Sequence, residues 1–502
     1  MALLSVQLED GTDTERLGQD LSLALQKGDL IALSGDLGAG KSTLARGLIR
    51  TIAGDDAYEV PSPTFTLVQS YPDLRLPVSH VDLYRLSSAH EVDELGLDEA
   101  LEDGIVLVEW PERGEGALPA AKVQVTLEID GDGRKAVIES AGATMARIER
   151  SLALRGFLNE SGHAKAQRRY LLGDASARGY ETIATGQERP LIVMNAPYNP
   201  GGPILRDGKT YMQIAHLSQS IDAFVALDRL LGSNGFRVPE IYAEDLHNGF
   251  LIIENLGNEG ILDARTMPIE QRYEAAVRLL ARLHQQAWPQ DIHVVEGISH
   301  HIHDFDRDAM MIEVELLSDW YVPRMLGQPL DPGRKADYIA AWDIIFSQLI
   351  DVEKSLLLRD VHSPNILWQS EKSGSDRVGL IDFQDAMIGP AAYDVASLVL
   401  DARATIPPDV QDRLIGAYIE ERRLGDAAFD KAIFDKAFAI MAAQRNAKIL
   451  GIFVRLDQRD GKPAYLKHLP RIQTYLASVI GHSALAPLKE WCEKTGILVS
   501  EI

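Results

Sequence analysis

The chain opens with short apolar runs separated by stretches of helical spacing. Asp29-Leu30-Ile31-Ala32-Leu33-Ser34 has the length of a buried strand, and Thr43-Leu44-Ala45-Arg46-Gly47-Leu48-Ile49 starts a helix by its apolar spacing. Leu17, Leu21 and Leu25, four residues apart, predict a helix over 14–27. Ile105-Val106-Leu107-Val108 runs apolar into Glu109, as a buried parallel strand does. Residues 122–129 and 134–139 read as two strands about the turn Gly131-Asp132-Gly133, and Ala141-Gly142-Ala143 reads as a boundary. A helix over 145–161 follows, then strand-like pieces at 170–180, 191–194, 237–242 and 249–254, with a helical stretch from Ile221 to Leu231. Beyond Asn255-Leu256-Gly257 the pattern is almost wholly helical. Strands followed by helices predict a two-lobed α+β domain. The expected organisation is an α/β domain over 1–142 fused to an α+β domain over 143–502, its N-lobe at about 165–257 and its helical C-lobe at about 258–502.

Composition narrows the function classes. The 502 residues are 46% apolar, enough for two or three cores, and carry 50 Lys+Arg against 74 Asp+Glu, a net charge of −24. Such an acidic chain is a poor candidate for direct, extended contact with nucleic acid. The single cysteine, Cys492, excludes an intramolecular disulfide framework and a Cys-based zinc site, and suits a cytoplasmic setting. With no uninterrupted apolar run of membrane-spanning length and an acidic start, no membrane association is expected.

Between the first apolar run and its helix stand Gly35, Asp36, Leu37, Gly38, Ala39, Gly40, Lys41 and Ser42, followed by Thr43. This is the phosphate-loop (P-loop) spacing in its proper strand–turn–helix context. Backbone N–H groups and a helix N-terminus cradle phosphate there, Lys41 reaches the β/γ-phosphates and the Ser42 hydroxyl ligates Mg²⁺. Val60-Pro61-Ser62-Pro63-Thr64-Phe65, with two prolines that bar a helix, is a candidate switch that senses nucleotide or an ordinary proline-rich loop. Asp82, near a strand end, is a candidate for the Mg²⁺ shell or for orienting a water. Glu109 would deliver the metal carboxylate at its strand's edge, and Trp110 offers a flat face to a base or a partner.

Gly35–Ser42, Ser62-Pro63-Thr64-Phe65, His80-Val81-Asp82-Leu83-Tyr84-Arg85 and Val108-Glu109-Trp110-Pro111-Glu112 together resemble TsaE, the bacterial ATPase subunit of the machinery that makes threonylcarbamoyladenosine at tRNA position 37. The resemblance covers about residues 1–140. It implies a small ATPase that works bound to the TsaD and TsaB subunits. It also implies Lys41 and Ser42 on phosphate and Mg²⁺, Thr64 in the switch, and Asp82 and Glu109 positioning metal or water. Contact with tRNA would then fall to the partners.

In the remainder, Asp360 precedes Asn365 by five residues, the spacing of a kinase catalytic base and a metal-binding asparagine, and Asp382 follows a short apolar strand, where the second metal aspartate sits. Asp360 would take the acceptor hydroxyl's proton while Asn365 and Asp382 hold Mg²⁺ against ATP. With Gly173-Asp174-Ala175-Ser176, Met194-Asn195-Ala196-Pro197, Gly389-Pro390 and Gln444-Arg445-Asn446, these residues resemble the aminoglycoside-phosphotransferase-like kinases. They look closest to the anomeric kinases of N-acetylmuramate and N-acetylglucosamine. The resemblance implies an amino-sugar acceptor phosphorylated at C1, with Gly173 and Ser176 at the nucleotide. The sequence departs from the protein-kinase pattern at Leu358, at Gln384 and at Met194, which stands near the usual lysine. Two alternatives stay open: a kinase for another small alcohol or aminoglycoside, or a pseudokinase scaffold with the P-loop domain as a regulatory nucleotide sensor. His300, His301 and His303 with Asp304 are read as poorly placed for one metal ion, Trp320, Tyr321 and Trp342 chiefly as core, and Cys492 as a buried apolar group.

Overall fold

A computed structural model describes residues 2–86, 88–114, 116–172, 178–186 and 188–497. The chain separates into two units, one of residues 1–196 with 242–255 and one of 197–241 with 256–502. The first unit extends well past the boundary read at Ala141-Gly142-Ala143.

Seven strands form the main sheet of the first unit: β1 (Ala2–Leu8), β2 (Leu30–Ser34), β3 (Val68–Tyr71), β4 (Val78–Asp82), β5 (Ile105–Glu109), β6 (Val123–Asp130) and β7 (Gly133–Ser140). Their order is β1-β7-β6-β2-β5-β4-β3. The centre is parallel, β2 lying between β5 and β6 with β4 beside β5, and antiparallel hairpins close both edges. Parallel strands are covered on both faces, which is why β2 and β5 read as unbroken apolar runs. The edge strand β1 lacks such a run, its residues being mostly exposed, and periodicity gives it no signal. Helices α1 (Gly11–Ala24), α2 (Lys41–Ala53) and α3 (Leu97–Asp103) accompany the sheet. α1 and α2 meet backbone to backbone. A Cβ on Gly18 would stand 2.3 Å from the Leu44 carbonyl oxygen, and one on Gly47 2.3 Å from that of Glu15.

At the expected boundary Gly142, with φ of +55°, starts helix α4 (Gly142–Glu160), three residues before the helix expected from 145. One stripe of α4 lies on α1: Arg147 donates to the Ala24 carbonyl, and Ser151 to that of Asp20. The other stripe, Leu154, Phe157 and Leu158, forms a core with Ile183, Leu191, Val193, Phe250 and Ile252 of a second sheet. That sheet contains β8 (Arg168–Leu171), β9 (Gly179–Ile183) and β10 (Leu191–Asn195). The chain then leaves for the second unit through the hairpin β11 (Ile204–Arg206) and β12 (Lys209–Thr210), and returns as β13 (Ile241–Asp245) and β14 (Phe250–Ile253). The order is β13-β14-β10-β9-β8. The strand expected from Arg237 begins only at Ile241, because Pro239 has no N–H to give a ladder.

The second unit is mostly helical. It has α5 (Tyr211–Ile214), α6 (Asp222–Ser233), α7 (Glu270–His284), α8 (Arg307–Leu316), α9 (Val322–Leu326), α10 (Pro332–Ser347), α11 (Ala392–Val399), α12 (Pro408–Gly425), α13 (Lys431–Gln458), α14 (Leu469–Val479) and α15 (Ala486–Thr495). Three antiparallel strand pairs interrupt the expected helical run among the described residues: β15 (Asp291–Val295) with β16 (Ile298–His301), β17 (Lys354–Leu357) with β20 (Met387–Pro390), and, between β17 and β20 in the chain, β18 (Ile366–Trp368) with β19 (Val378–Leu380). α13 has the length and mean hydropathy (1.2) of a membrane-crossing helix, yet 83% of that apolar window is buried inside the fold. Tyr321 and Trp342 are buried, and so is Cys492, whose thiol burial pushes up to about 12.

Candidate active sites

In the first unit, β2 ends in a loop whose glycines are required by geometry. Gly35 has φ of +135° and lies where a Cβ would meet the Leu127 carbonyl oxygen at 2.3 Å, and Gly40, with φ of +110°, caps α2. Lys41 and Ser42 open that helix, so its unpaired N–H groups face the loop. Lys41 Nζ donates to the carbonyls of Gly35 (2.5 Å) and Asp36 (3.0 Å) and lies 3.6 Å from the centroid of the Trp110 ring. Burial lowers the Lys41 pKa, against the pull of the Glu109, Glu112 and Asp82 carboxylates.

Glu109 ends β5 fully buried, accepts from the Ser42 hydroxyl at 2.9 Å through one oxygen, and lies 2.9 Å from His80 Nε2 through the other. Asp82 pairs with Glu109 across β4 and β5, and accepts from the Thr64 hydroxyl at 2.7 Å and from the Tyr84 N–H at 2.9 Å. Thr64, Asp82, Glu109, Trp110 and the loop therefore converge, as their sequence order suggested. Around them Leu37 and Phe65 are exposed, Arg85 lies over Phe65 at 4.8 Å, and the Tyr84 ring lies tilted against Trp110 with centroids 5.0 Å apart. Two contacts lay outside the candidates drawn from sequence. His80 braces Glu109, and Arg134 of β7 donates to the Ala39 carbonyl at 3.0 Å. A hydroxyl beside two carboxylates is the hard oxygen set that suits Mg²⁺.

In the second unit, strand β17 leads into the loop Leu358–Asn365. Arg359 has φ of +68°, and the buried Asp394 of α11 accepts from the N–H groups of Leu358 (2.6 Å) and Arg359 (2.9 Å), which fixes the bend. Beneath the loop Arg359 pairs with the buried Glu313 of α8, which also takes Lys448 at 2.8 Å and Gln444 at 2.9 Å from α13. Burial would raise the Glu313 pKa, but Lys448 and Arg359 outweigh it and hold the carboxyl down at about 2.

Above them the half-exposed Asp360 carboxylate lies 3.3 Å from His362 Nε2. Desolvation pushes its pKa up, and His362, Arg445 and Lys448 together hold it below the ordinary carboxylate range. Asn365 donates to the Asp360 carbonyl at 2.8 Å and reaches Asp382 at 3.4 Å. Asp382, at φ of +61°, is oriented by Gln384, which donates to it at 2.7 Å. Three candidate residues five and twenty-two positions from the first thus meet in one place. An amide oxygen and a carboxylate from facing turns fit a hard divalent cation.

Gly173 and Ser176 lie outside the described residues. Met194 is buried in β10 between Tyr180 and Leu251 of the flanking strands, where the lysine would stand. His301 pairs with Asp291 at 2.8 Å and His303 stacks on His216, and no metal-holding cluster of three His, Cys, Asp or Glu exists among the described residues.

Two families match this architecture. Threonylcarbamoyl adenosine biosynthesis protein TsaE matches residues 8–137, and Phosphotransferase enzyme family matches residues 167–430. A protein of Caulobacter vibrioides called N-acetylmuramate/N-acetylglucosamine kinase is 31% identical over 359 residues, which is 69% of this chain and 96% of that protein. Proteins called tRNA threonylcarbamoyladenosine biosynthesis protein TsaE from Rickettsia felis and Haemophilus influenzae are 36% and 40% identical, covering 26% and 23% of this chain and 74% and 72% of their own lengths. One polypeptide thus carries both the glycine loop with its two carboxylates and the loop that brings Asn365 to Asp382, and it belongs to the TsaE family at its N-terminus and to the phosphotransferase enzyme family over the larger remainder.

Proposed function

We propose that this chain is a bifunctional, cytoplasmic enzyme. Its larger part transfers the γ-phosphoryl group of ATP to the C1 hydroxyl of an N-acetylated amino sugar, N-acetylmuramate or N-acetylglucosamine, in cell-wall recycling. Its N-terminal part is the ATPase that supports threonylcarbamoylation of tRNA adenosine 37 together with TsaB- and TsaD-type subunits. The observation that carries the kinase reading is the convergence of Asp360, Asn365 and Asp382, joined to the relatedness over nearly the full length of the Caulobacter protein.

Asp360, held ionised by its cationic neighbours, orients the sugar hydroxyl and accepts its proton. The oxygen attacks the γ-phosphorus, the bond to the β-phosphate oxygen breaks, and ADP leaves. Mg²⁺, when bound, neutralises the phosphate charge. Asn365 and Asp382 would hold it in the kinase, and Ser42 with Glu109 in the ATPase. Asp394 keeps the catalytic loop bent throughout.

Isotope-labelled ATP with a panel of amino sugars and alcohols tests the kinase reading. Labelled sugar phosphate is expected, with turnover reduced at least a hundredfold in Asp360→Asn. Full transfer by that variant would refute the assignment. The buried Met194 favours a second reading, a pseudokinase scaffold, which predicts no transfer to any acceptor. For the N-terminal part, ATPase activity is expected to rise when TsaB and TsaD are added, and indifference to them counts against the tRNA role.

A further inference from the structure

The P-loop helix meets β8 at a half-exposed contact. At its C-terminal end, Arg169 of β8 donates to the Gly54 carbonyl at 3.3 Å and pairs with Asp56 at 2.7 Å. Next to it Arg75 lies 4.3 Å over the Tyr170 ring. A second link is buried. Asp20 of α1 accepts from Arg155 of α4 through both oxygens (3.0 and 3.1 Å) and from Arg168 of β8 at 2.8 Å, while Arg168 forks onto Glu181 of β9 at 2.7 and 2.9 Å. All four charged groups are buried and their charges sum to zero. Gln19 completes the set by accepting from the Arg168 N–H at 2.9 Å. Fully paired, hydrogen-bonded buried charges fix one geometry, because any shift strands a charge in low dielectric.

The moving part lies at the other end of α2. Lys41 holds the Gly35 and Asp36 carbonyls and must leave them to reach a phosphate. Release of those carbonyls by the Lys41 side chain is the change that nucleotide would impose at this end, and the same helix, about 20 Å long, abuts both β8 and α1. Of these, β8 belongs to the phosphotransferase match, which starts at residue 167.

We propose that the P-loop domain has a further function within this chain: nucleotide bound at Gly35–Ser42 sets the conformation of the kinase sheet and thereby tunes phosphotransfer. The path runs through α2 to Arg169 and through α1 to Asp20 and Arg168. It rests on the reading of Gly35–Ser42 as a nucleotide site, but not on any role in tRNA modification or on the identity of the sugar.

Hydrogen–deuterium exchange on the full chain tests it, with and without a non-hydrolysable ATP analogue, in the wild type and in Lys41→Ala. In the wild type, amides of residues 41–46 and of β8 and β9 are expected to exchange at least threefold more slowly with the analogue. In Lys41→Ala, where only the kinase site can respond, the β8 and β9 effect is expected to shrink or vanish. Arg169→Ala alters a half-exposed pair of the kind that contributes little to stability, and is expected to weaken the β8 response while sparing that of residues 41–46. The KM for ATP or kcat of phosphotransfer should also differ at least threefold between wild type and Lys41→Ala. Identical β8 and β9 protection in wild type and Lys41→Ala, with residues 41–46 protected in the wild type, overturns the coupling and leaves the nucleotide site standing. No protection of residues 41–46 in the wild type overturns both. A β8 response of wild-type size in Arg169→Ala overturns the route through α2.

Discussion

Glu313 is the residue whose chemistry is most confined. Its folded pKa of about 2 lies below the ordinary glutamate value of 4.5, so its ionised form stabilises the fold. That contribution is complete above the unfolded pKa and is lost as pH falls from about 4.5 toward 2. The shift corresponds to about 3 kcal/mol. Glu313→Gln should flatten this acid limb, seen as a smaller loss of denaturant midpoint between pH 5 and pH 3 than in the wild type. Arg134 offers a residue-scale test at the other site. Its hydrogen bond to the Ala39 carbonyl holds the phosphate loop from β7, so Arg134→Ala should raise the KM for ATP of the ATPase roughly tenfold, with kcat less affected. A larger fall in kcat than rise in KM would assign Arg134 to chemistry instead.

Among the elements, α1 and α2 owe their close crossing to Gly18 and Gly47. In an isolated helix Gly47→Ala would stabilise by about 1 kcal/mol. Here the new Cβ would fall 2.3 Å from a carbonyl oxygen, so overpacking should win, with a net loss of about 1–3 kcal/mol in equilibrium unfolding. Helix α11 matters for another reason. Asp394 accepts two successive N–H groups just before Asp360, which holds Arg359 in its left-handed conformation. Asp394→Asn can accept only one of them well. Turnover of phosphotransfer is expected to fall about tenfold to a hundredfold, with the acid-side inflection of the pH–rate profile moving as Asp360 shifts.

At the scale of the whole chain, the buried network makes a prediction about truncation. A fragment beginning at 143 retains Arg155, Arg168 and Glu181 but loses Asp20, so two cations face one carboxylate. The fragment loses both that shared carboxylate and the packing of α4 on α1, and should melt well below the full chain by calorimetry. This network also marks where sequence reading stops. The phosphate loop was legible because its residues are contiguous and sit between an apolar run and a helical stripe. Asp360 and Asn365 stand five apart on one loop and Asp382 follows a short apolar strand, so local pattern was enough to single them out. Asp20 and Arg168 stand 148 positions apart, and no periodicity ties an acid on one helix to a base on a distant strand. Arg134 lies 95 positions from Ala39 and reads simply as a charged residue after a hairpin turn.

Because α4 begins immediately after β7, the junction between the two families is measured in single residues. Arg147, Ser151 and Arg155 fall on one stripe, four apart, each with a partner on or beside α1. One residue inserted between Ser140 and Gly142 would turn that stripe by about 100° and displace it about 1.5 Å, removing all three from their partners at once. A four-residue insertion restores the angle but lengthens the reach by a full turn. A gene fusion between independent enzymes tolerates drift in its joining segment, and this one should not. Proteins that carry the same pair of families with the same interface are expected to keep the length of the joint constant while its sequence varies, and a scan of insertions at position 141 should show yield peaking sharply at the native length.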